Sequence, residues 1–298
     1  MTEEVNSSEE MKEIDVTPSP GSILTVMISI LVTTFLVYIY RRIIVRQIRR
    51  SVWKSAGDDV VLVHCPTPGY LTPNISPFVM KLLTYLRLAQ IPYKLEHDEP
   101  MGAKGKTPWI TLNGEELHDS QLIIEALSKK FDKDFNSGLS EEEKAIARGF
   151  AMMIEEHIAW GLRVWRFIVD DGRTLLEGMK QPFFVSLIKP IFVRSQKAAL
   201  WYQGLGRHSP SEVENMITAD LRALSKYLGR KPYLMGDNLT EVDCTMFAFM
   251  ANILYNYNRS PYYDIIKGEF TNLYDYVLRV KGRLWPDWNQ CLEKTKLK

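Results

Sequence analysis

Uncharged and polar stretches alternate along the chain and predict one apolar N-terminal helix followed by shorter helices and strands. Residues 22–40 contain no charged side chain. In a helix that rises about 1.5 Å per residue, this segment covers about 28 Å, close to the thickness of a bilayer core. Residues 1–21 are acidic and end in Pro-Ser-Pro-Gly, a composition typical of a disordered tail. The pattern therefore predicts a single transmembrane anchor at residues 22–40, preceded by an acidic tail.

A cleaved signal peptide is the alternative interpretation of the apolar segment. Signal peptides begin with a basic leader and end at a small-residue cleavage site. Here the leader is acidic and arginines follow the apolar residues. The residue pattern therefore favours the anchor.

The linker at residues 41–57 is basic, with no acid before Asp58. The positive-inside rule places such a flank, and the chain that follows it, in the cytosol. The same charges either only set this topology or also hold the linker against anionic lipid. The organelle stays open among the mitochondrial outer membrane, the endoplasmic reticulum and an endolysosome. The cationic residues of the linker are Arg41, Arg42, Arg46, Arg49, Arg50 and Lys54.

Residues 58–132 show the pattern of a small α/β domain. Val60–His64 is a continuous apolar run, typical of a buried strand in a parallel sheet. Ser76–Pro77 is a typical N-cap and first-turn pair, and it predicts a helix that runs to about Gln90. Ile91–Glu96 predicts a second strand.

The stretch Lys104–Ser120 predicts a hairpin and then a helix start. Pro108 cannot donate a ladder hydrogen bond, so it should stand at the first residue of a strand, before Trp109–Leu112. Asn113–Gly114 is a pair that favours a two-residue hairpin turn. Asp119–Ser120 then caps a helix. The resulting order, β-α-β followed by β-β-α, is that of a thioredoxin-like domain.

Three capping boxes predict an all-α second domain at residues 133–298. Ser140–Glu143 begins a long helix, which Asp170–Gly172 ends. Ser211–Glu214 begins another helix, and Thr240–Asp243 begins a third.

One apolar stretch, residues 182–193, lies between these helix signals. Lys189 and Pro190 interrupt it, so it is too short and too broken for a second membrane span. It is expected either in the core or on a surface that touches the membrane or a partner.

Composition changes this picture little. The chain has 298 residues, of which 46% are hydrophobic and 24% charged, which suits two modest globular domains. A net charge of +1 gives no attraction to nucleic acid or to another polyanion. The cysteines (Cys65, Cys244 and Cys291) form no CxxC pair, so we expect a reducing compartment, no disulfide framework and no zinc module.

Several motifs, in order along the chain, resemble the failed axon connections family. This family is a metaxin-related branch of the glutathione-transferase fold that includes cadmium-responsive nematode proteins. The resemblance covers roughly residues 58–292 and implies a thioredoxin-like α/β domain followed by an all-α transferase C-terminal domain. The motifs are Pro73–Phe78, Thr84–Arg87, Ile91–Tyr93, Gly105–Ile110, Glu155–His157 with Trp160, and Arg283–Trp288. Lys231–Asp243 resembles the structural signature of the transferase α-domain, which concerns folding and not the substrate.

The resemblance also implies a glutathione site. In glutathione transferases the proline before the hairpin is cis, and the serine at the helix start receives the γ-glutamyl carboxylate. Carried over to this chain, these positions are Thr107 and Pro108, and Asp119 and Ser120. A plain helix cap is the alternative role of Asp119 and Ser120.

Ser76 occupies the place where omega-type transferases carry their reactive cysteine. A hydroxyl at a helix start can stabilise a bound thiolate, so Ser76 is the candidate catalytic residue. Tyr70, and then Thr67, on the preceding loop are the fallback hydroxyl donors. Serine at 76 and valine at 79 exclude disulfide exchange by this motif, and Ser76 is equally well explained as an ordinary N-cap.

Two further groups of residues are candidates for metal binding or proton transfer, and the sequence alone does not decide their role. Glu155–His157 offers a carboxylate and an imidazole on one helix, but a metal site needs three or four converging ligands, so a buried polar network or a domain interface is favoured. His64–Cys65 offers two adjacent soft ligands, for which packing at a strand end is the favoured role. No metal site is predicted.

Two functions are compatible with these features. The first is a glutathione- or thiol-linked stress protein, of the kind a cadmium detoxification response requires. The second is a non-catalytic adaptor at a membrane surface, with a role in axon development or a metaxin-like organelle role, which acts through a protein partner or as a homodimer.

Overall fold

The computed structural model describes residues 20–54, 57–177 and 183–292. The chain divides into two compact units, one that ends at Trp53 and one that begins at Lys54. Of the predicted acidic tail at residues 1–21, residues 1–19 lie outside the described residues.

The described residues of the first unit form a single helix, α1 (Pro20–Lys54). Its stretch Leu24–Trp53 reaches a mean hydropathy of 1.8, and none of this most apolar part is buried inside the protein. By length and composition α1 is able to cross a membrane. The helix also continues through most of the basic segment at residues 41–57, which was predicted as a linker.

The first half of the second unit is a four-stranded sheet with two helices. The strands β1 (Val61–His64), β2 (Tyr93–Glu96), β3 (Trp109–Leu112) and β4 (Glu115–His118) lie in the order β2-β1-β3-β4. β1 runs parallel to β2, whereas β3 is antiparallel to both β1 and β4. The helices are α2 (Pro77–Ala89) and α3 (Ser120–Phe131). This confirms the predicted thioredoxin-like order.

The second half is helical and begins with one long run of helix. This run consists of α4 (Glu141–Met152), a π-helical segment (Met153–Ile158), α5 (Ala159–Val164) and a second π-helical segment (Trp165–Val169). The capping box of Ser140 and Glu143 is present, as predicted. Six α-helices follow in the described residues. They are α6 (Arg173–Glu177), α7 (Phe183–Gln203), α8 (Pro210–Leu228), α9 (Glu241–Asn256), α10 (Pro261–Gly268) and α11 (Thr271–Leu284).

The predicted start of α8 was wrong by two residues. Ser209 is the N-cap, and its capping box is formed with Glu212 and not by Ser211 with Glu214. Pro210 stands at the first helical position, where its missing N–H is harmless.

The third predicted capping box opens α9, the most buried helix. The Asp243 carboxylate is fully buried and accepts hydrogen bonds from the backbone N–H and the hydroxyl of Thr240, at 2.9 and 2.8 Å. It also accepts bonds from the backbone N–H of Leu234 (2.8 Å) and the hydroxyl of Tyr276 (3.0 Å). One side chain therefore ties α9 to the preceding loop and to α11.

Residues 183–193 of the apolar stretch form the first half of α7, and residue 182 lies outside the described residues. Pro190 lies inside the helix and does not interrupt it. Val193 is buried, whereas Ile191 is 74% exposed and Phe192 46% exposed. The described residues of this stretch thus contribute to both core and surface.

The C-terminal end returns to the thioredoxin-like half. Arg87, on α2, donates to both carboxylate oxygens of Asp287 at 2.5 and 2.9 Å, and its guanidinium lies 3.9 Å from the centre of the Trp285 ring. The bonds from Arg87 lower the pKa of Asp287 to about 2. Trp285 and Trp288 are buried.

Candidate functional site

The register of the sheet brings the predicted glutathione-binding residues to one edge. His64 on β1 pairs with Trp109 on β3, and Trp109 pairs with His118 on β4. The residue before Trp109 and the residue after His118 therefore face each other just beyond the last pair. These residues are Pro108 and Asp119, and we call this end of the sheet the site edge.

Thr107 and Pro108 enter the site edge through a cis peptide bond, as expected from the resemblance. The Thr107 hydroxyl oxygen is buried and has no hydrogen-bond partner in the part of the chain that the structure describes. Because a buried hydroxyl normally finds a partner, this is a polar group that a ligand could satisfy.

Asp119 and Ser120 form the start of α3. Asp119 has a φ of +80°, a value that a residue other than glycine rarely adopts, and its carboxylate accepts hydrogen bonds from the backbone N–H groups of Gln121 (3.0 Å) and Leu122 (3.4 Å). Ser120 is 5% exposed. Its backbone N–H has no partner within the helix, and its hydroxyl makes no hydrogen bond to a described residue. Asp119 therefore caps the helix, and the hydroxyl and backbone N–H of Ser120 stay free to bind a ligand.

Ser76 caps α2, at the other helix start of this domain. Its hydroxyl oxygen accepts a hydrogen bond from the backbone N–H of Val79 at 3.5 Å, and its own N–H donates to the side-chain oxygen of Asn74 at 3.0 Å. The cap uses a lone pair of the hydroxyl oxygen and leaves its proton able to donate. Ser76 is half-buried, so both of its predicted roles are chemically compatible.

The loop between β1 and α2 is held by two residues that the sequence did not single out. Asn74 is buried and donates to the carbonyl oxygen of Pro66 at 2.8 Å. Thr72 is buried and hydrogen bonded to Asn256, at the end of α9, at 2.9 Å. Of the fallback hydroxyls, Tyr70 is half-buried and Thr67 is exposed.

His64 and Cys65 do not converge on a metal position. His64 stacks on Trp109, with ring centres 3.6 Å apart, and contacts the hydroxyl of Thr111 at 2.9 Å. Burial, together with the charge of Glu96, raises the pKa of the Cys65 thiol to about 12, so this thiol is protonated at neutral pH. Within residues 20–54, 57–177 and 183–292, no three His, Cys, Asp or Glu side chains are grouped to hold a metal ion.

The Glu155–His157 group divides between two separate contacts. The Glu155 carboxylate forms an ion pair with Lys81 at 2.5 Å and accepts a hydrogen bond from the Thr245 hydroxyl at 3.2 Å. His157 instead contacts Asp220 at 2.5 Å, and Glu156 is exposed. The favoured prediction was a buried polar network or a domain interface, and Glu155 lies in such a buried network.

This interface network reaches the site edge through Gln121. The Lys81 ammonium donates to the Gln121 side-chain oxygen at 2.6 Å, and the Gln121 amide donates to Glu241 on α9 at 2.8 Å. Gln121 follows Ser120 directly, so the start of α3 is bonded to both halves of the unit.

Two family models match the chain. One is described as "Glutathione S-transferase N-terminal domain" and matches residues 77–172; the other is described as "Glutathione S-transferase, C-terminal domain" and matches residues 217–280.

Three characterised proteins are similar in sequence. Failed axon connections of Drosophila melanogaster is 31% identical over 80% of this chain, which spans only 61% of that protein. Isoprene-epoxide–glutathione S-transferase of Rhodococcus sp. is 30% identical over 65% of this chain and 87% of that protein. Metaxin-2 of Mus musculus is 21% identical over 69% of this chain and 81% of that protein.

Among solved structures, a glutathione S-transferase from Methylobacterium radiotolerans, in complex with glutathione sulfonate, shares the fold with a TM-score of 0.54. It is 13% identical, and the match covers 80% of this chain and 98% of that chain.

Proposed function

Because the chain belongs to the glutathione-transferase family, in the group of failed axon connections and the metaxins, we propose that it binds glutathione or a similar peptide thiol. The proposed site is the site edge of the thioredoxin-like half, and α1 is proposed to anchor the protein in a membrane.

The observation that carries this proposal is that polar groups without a partner among the described residues lie beside the same end of the β3–β4 ladder. Ser120, two residues after His118, offers a free hydroxyl and a helix-start N–H, which suit a carboxylate. Thr107, two residues before Trp109, offers a buried hydroxyl that has no partner in the described part of the chain. The γ-glutamyl carboxylate would bind at Ser120, and the cysteinyl backbone would lie beside Thr107 and Pro108.

Titration of the full-length protein in detergent micelles with reduced glutathione tests the proposal. We expect a dissociation constant in the micromolar to low millimolar range, about −8 to −4 kcal/mol. Ser120→Ala should weaken binding by about 1–2 kcal/mol, because the ligand carboxylate loses a hydroxyl donor. Isothermal titration calorimetry measures both values.

Ser128→Ala, near the other end of α3, is the matched control and should bind as the parent does. Its hydroxyl donates to the carbonyl oxygen of Lys133 and is remote in sequence from the helix start. The absence of heat from a folded parent protein at about 10 mM glutathione would disprove the proposed function. Equal affinities of the parent and Ser120→Ala would remove Ser120 from the site.

A transferase reaction also requires a hydrogen-bond donor that stabilises the thiolate of the bound glutathione. The Ser76 hydroxyl is the proposed donor; to lower a thiol pKa by two units it must favour the thiolate by about 2.7 kcal/mol. The similarity to an isoprene-epoxide transferase supports this catalytic form of the proposal. The stress or cadmium-detoxification role depends on it.

A non-catalytic adaptor is the second candidate function. It is favoured by the chemistry of Cys65, which directly follows β1, because burial raises the pKa of this thiol to about 12 and so keeps it protonated at neutral pH. The Ser76 hydroxyl already has a structural task as a cap. In this form the fold presents a surface to a protein partner or to a second copy of the chain, in axon development or in a metaxin-like organelle role.

The proposed anchor predicts where the protein partitions. The full-length chain, translated in the presence of microsomes, should stay in the pellet after carbonate extraction, with the residues after Lys54 accessible to protease from the cytosolic side. A chain with Leu31→Lys and Phe35→Lys should move to the supernatant, because two charges at the centre of a span are costly. As a control, Leu122→Lys changes an exposed leucine of α3 and should leave the pellet fraction unchanged. Release of the parent by carbonate would contradict the anchor.

A further inference from the structure

Two arginines lie three residues apart on the long helix, remote in sequence from the site edge. Arg166, in the second π-helical segment, is only 8% exposed, and its guanidinium carbon lies 4.0 Å from the centre of the Tyr257 ring. Arg163 is half-buried, donates to the side-chain oxygen of Gln196 at 2.6 Å and stacks over Trp160.

No counter-ion is present for this pair among the described side chains. The Nε and Nη2 atoms of Arg166 are buried and have no hydrogen-bond partner in the part of the chain that the structure describes. The nearby carboxylate of Asp170 is engaged by the backbone N–H and the hydroxyl of Thr174, at 2.7 and 3.1 Å. Burial lowers the pKa of both arginines, yet a guanidinium stays charged at neutral pH. A buried charge without a partner is costly, so an anion bound here would be strongly favoured.

The position of the two unpartnered atoms indicates the kind of anion. Nε and Nη2 lie on the same edge of the guanidinium plane, and their N–H bonds point in nearly the same direction. The two oxygens of a carboxylate match this edge and accept both bonds at once. We propose that Arg166, supported by the charge of Arg163, binds the carboxylate group of a small organic acid.

The side chains near Arg166 indicate the chemistry of the rest of the ligand. Trp165, Phe167 and Tyr257 are 7%, 4% and 3% exposed, and the rings of Trp165 and Tyr257 lie 5.7 Å apart. The Tyr257 ring lies directly against the guanidinium, so the acid is an aromatic or aliphatic monocarboxylate whose apolar part packs against this ring. Because the guanidinium edge is closed in this structure, such a ligand enters by displacing the side chains that cover it.

The π-helical segment and the end of α9 position this site. The backbone N–H of Asp170 bonds to the Trp165 carbonyl, and that of Gly172 bonds to the Arg166 carbonyl, so the widened turn surrounds Arg166. π-helical turns of this kind are frequent at functional sites. Tyr257 directly follows Asn256, which holds the β1–α2 loop through Thr72. The carboxylate site therefore has its own residues and does not depend on glutathione binding at Ser120.

Thermal unfolding of the full-length protein in detergent, with sodium benzoate at constant ionic strength, tests the proposal. We expect a saturable rise in Tm with an apparent dissociation constant of about 1 mM or tighter. Arg166→Gln should abolish the rise. Arg166→Lys keeps the charge but not the two-donor edge, and calorimetry should show at least about tenfold weaker binding. Arg259→Gln, which removes an exposed arginine paired with Glu177, is the control and should respond as the parent does.

A structural role for Arg166 makes different predictions. Without benzoate, Arg166→Gln should melt at or above the parent temperature, because an unpaired buried charge has been removed; a purely structural arginine would lower it. Absence of a saturable shift up to about 50 mM benzoate, or an equal shift in Arg166→Lys, would overturn the site. An equal shift with inorganic phosphate would overturn its assignment to carboxylates.

Discussion

Lys81→Met is expected to lower the free energy of unfolding by about 3–5 kcal/mol, because it leaves the buried Glu155 carboxylate without its cation. Lys81 is fully buried and Glu155 is 7% exposed. In the parent the ammonium bonds both this carboxylate and the Gln121 side chain. Urea unfolding of the full-length protein, followed by circular dichroism, measures the loss.

The double variant Lys81→Met with Glu155→Leu distinguishes two costs. One is the loss of the ion pair itself, and the other is the burial of a charged Glu155 carboxylate without a cation. The double variant should recover most of the stability, because replacing both partners by apolar side chains removes the uncompensated charge. Lys144→Met breaks an exposed ion pair with Glu141 and, as the control, should cost less than about 0.5 kcal/mol. A double variant as unstable as Lys81→Met would show that Glu155 alone is not the cause.

Asp243→Ala is expected to lower the free energy of unfolding by about 3–5 kcal/mol, measured by the same urea unfolding experiment. The change removes the acceptor of four hydrogen bonds in the most buried part of the helical half. The N–H groups of Leu234 and Thr240 would then remain buried without a partner.

Asp243→Asn keeps the shape and one acceptor oxygen, so its loss should lie between that of the parent and that of Asp243→Ala. Asp275→Ala, at an exposed position of α11, is the matched control and should change stability by less than about 0.5 kcal/mol. If Asp243→Ala stays within 1 kcal/mol of the parent, about the value of one ordinary cap, the network contributes much less than its geometry suggests.

The sequence predicts those elements whose signals are local. Pro108, the Asn113–Gly114 pair and the Ser76 cap each act within a few residues of themselves, and the structure has them where they were expected. The start of α8 shows the limit of such rules. Ser209 and Ser211 both precede a glutamate by three residues, and only the proline at 210, which favours the first helical position, distinguishes them.

The location of Thr107 and Ser120 at one edge of the sheet was predictable because both residues flank the same hairpin, whereas their role in binding stays a prediction. The interface network was not predictable, because Lys81 and Glu155 are 74 residues apart and no local pattern pairs them. A lysine in an apolar helix is normally expected at the surface. The Arg166 site was hidden for a further reason: the π-helical turns change which side of the helix a residue faces, and apolar periodicity assumes 3.6 residues per turn.

The ion pair between Arg87 and Asp287 also determines how late in synthesis the thioredoxin-like half is completed. Its two residues are 200 positions apart. At a synthesis rate of about 5–20 residues per second, the ribosome needs about 10–40 s to reach the aspartate after it has made the arginine. For most of this interval the thioredoxin-like half lacks α9, which ends at Asn256, and for nearly all of it the half lacks the Trp285 ring that lies against Arg87. The first half of the unit is therefore completed by the last part to be synthesised, and until then it is a natural client for chaperones.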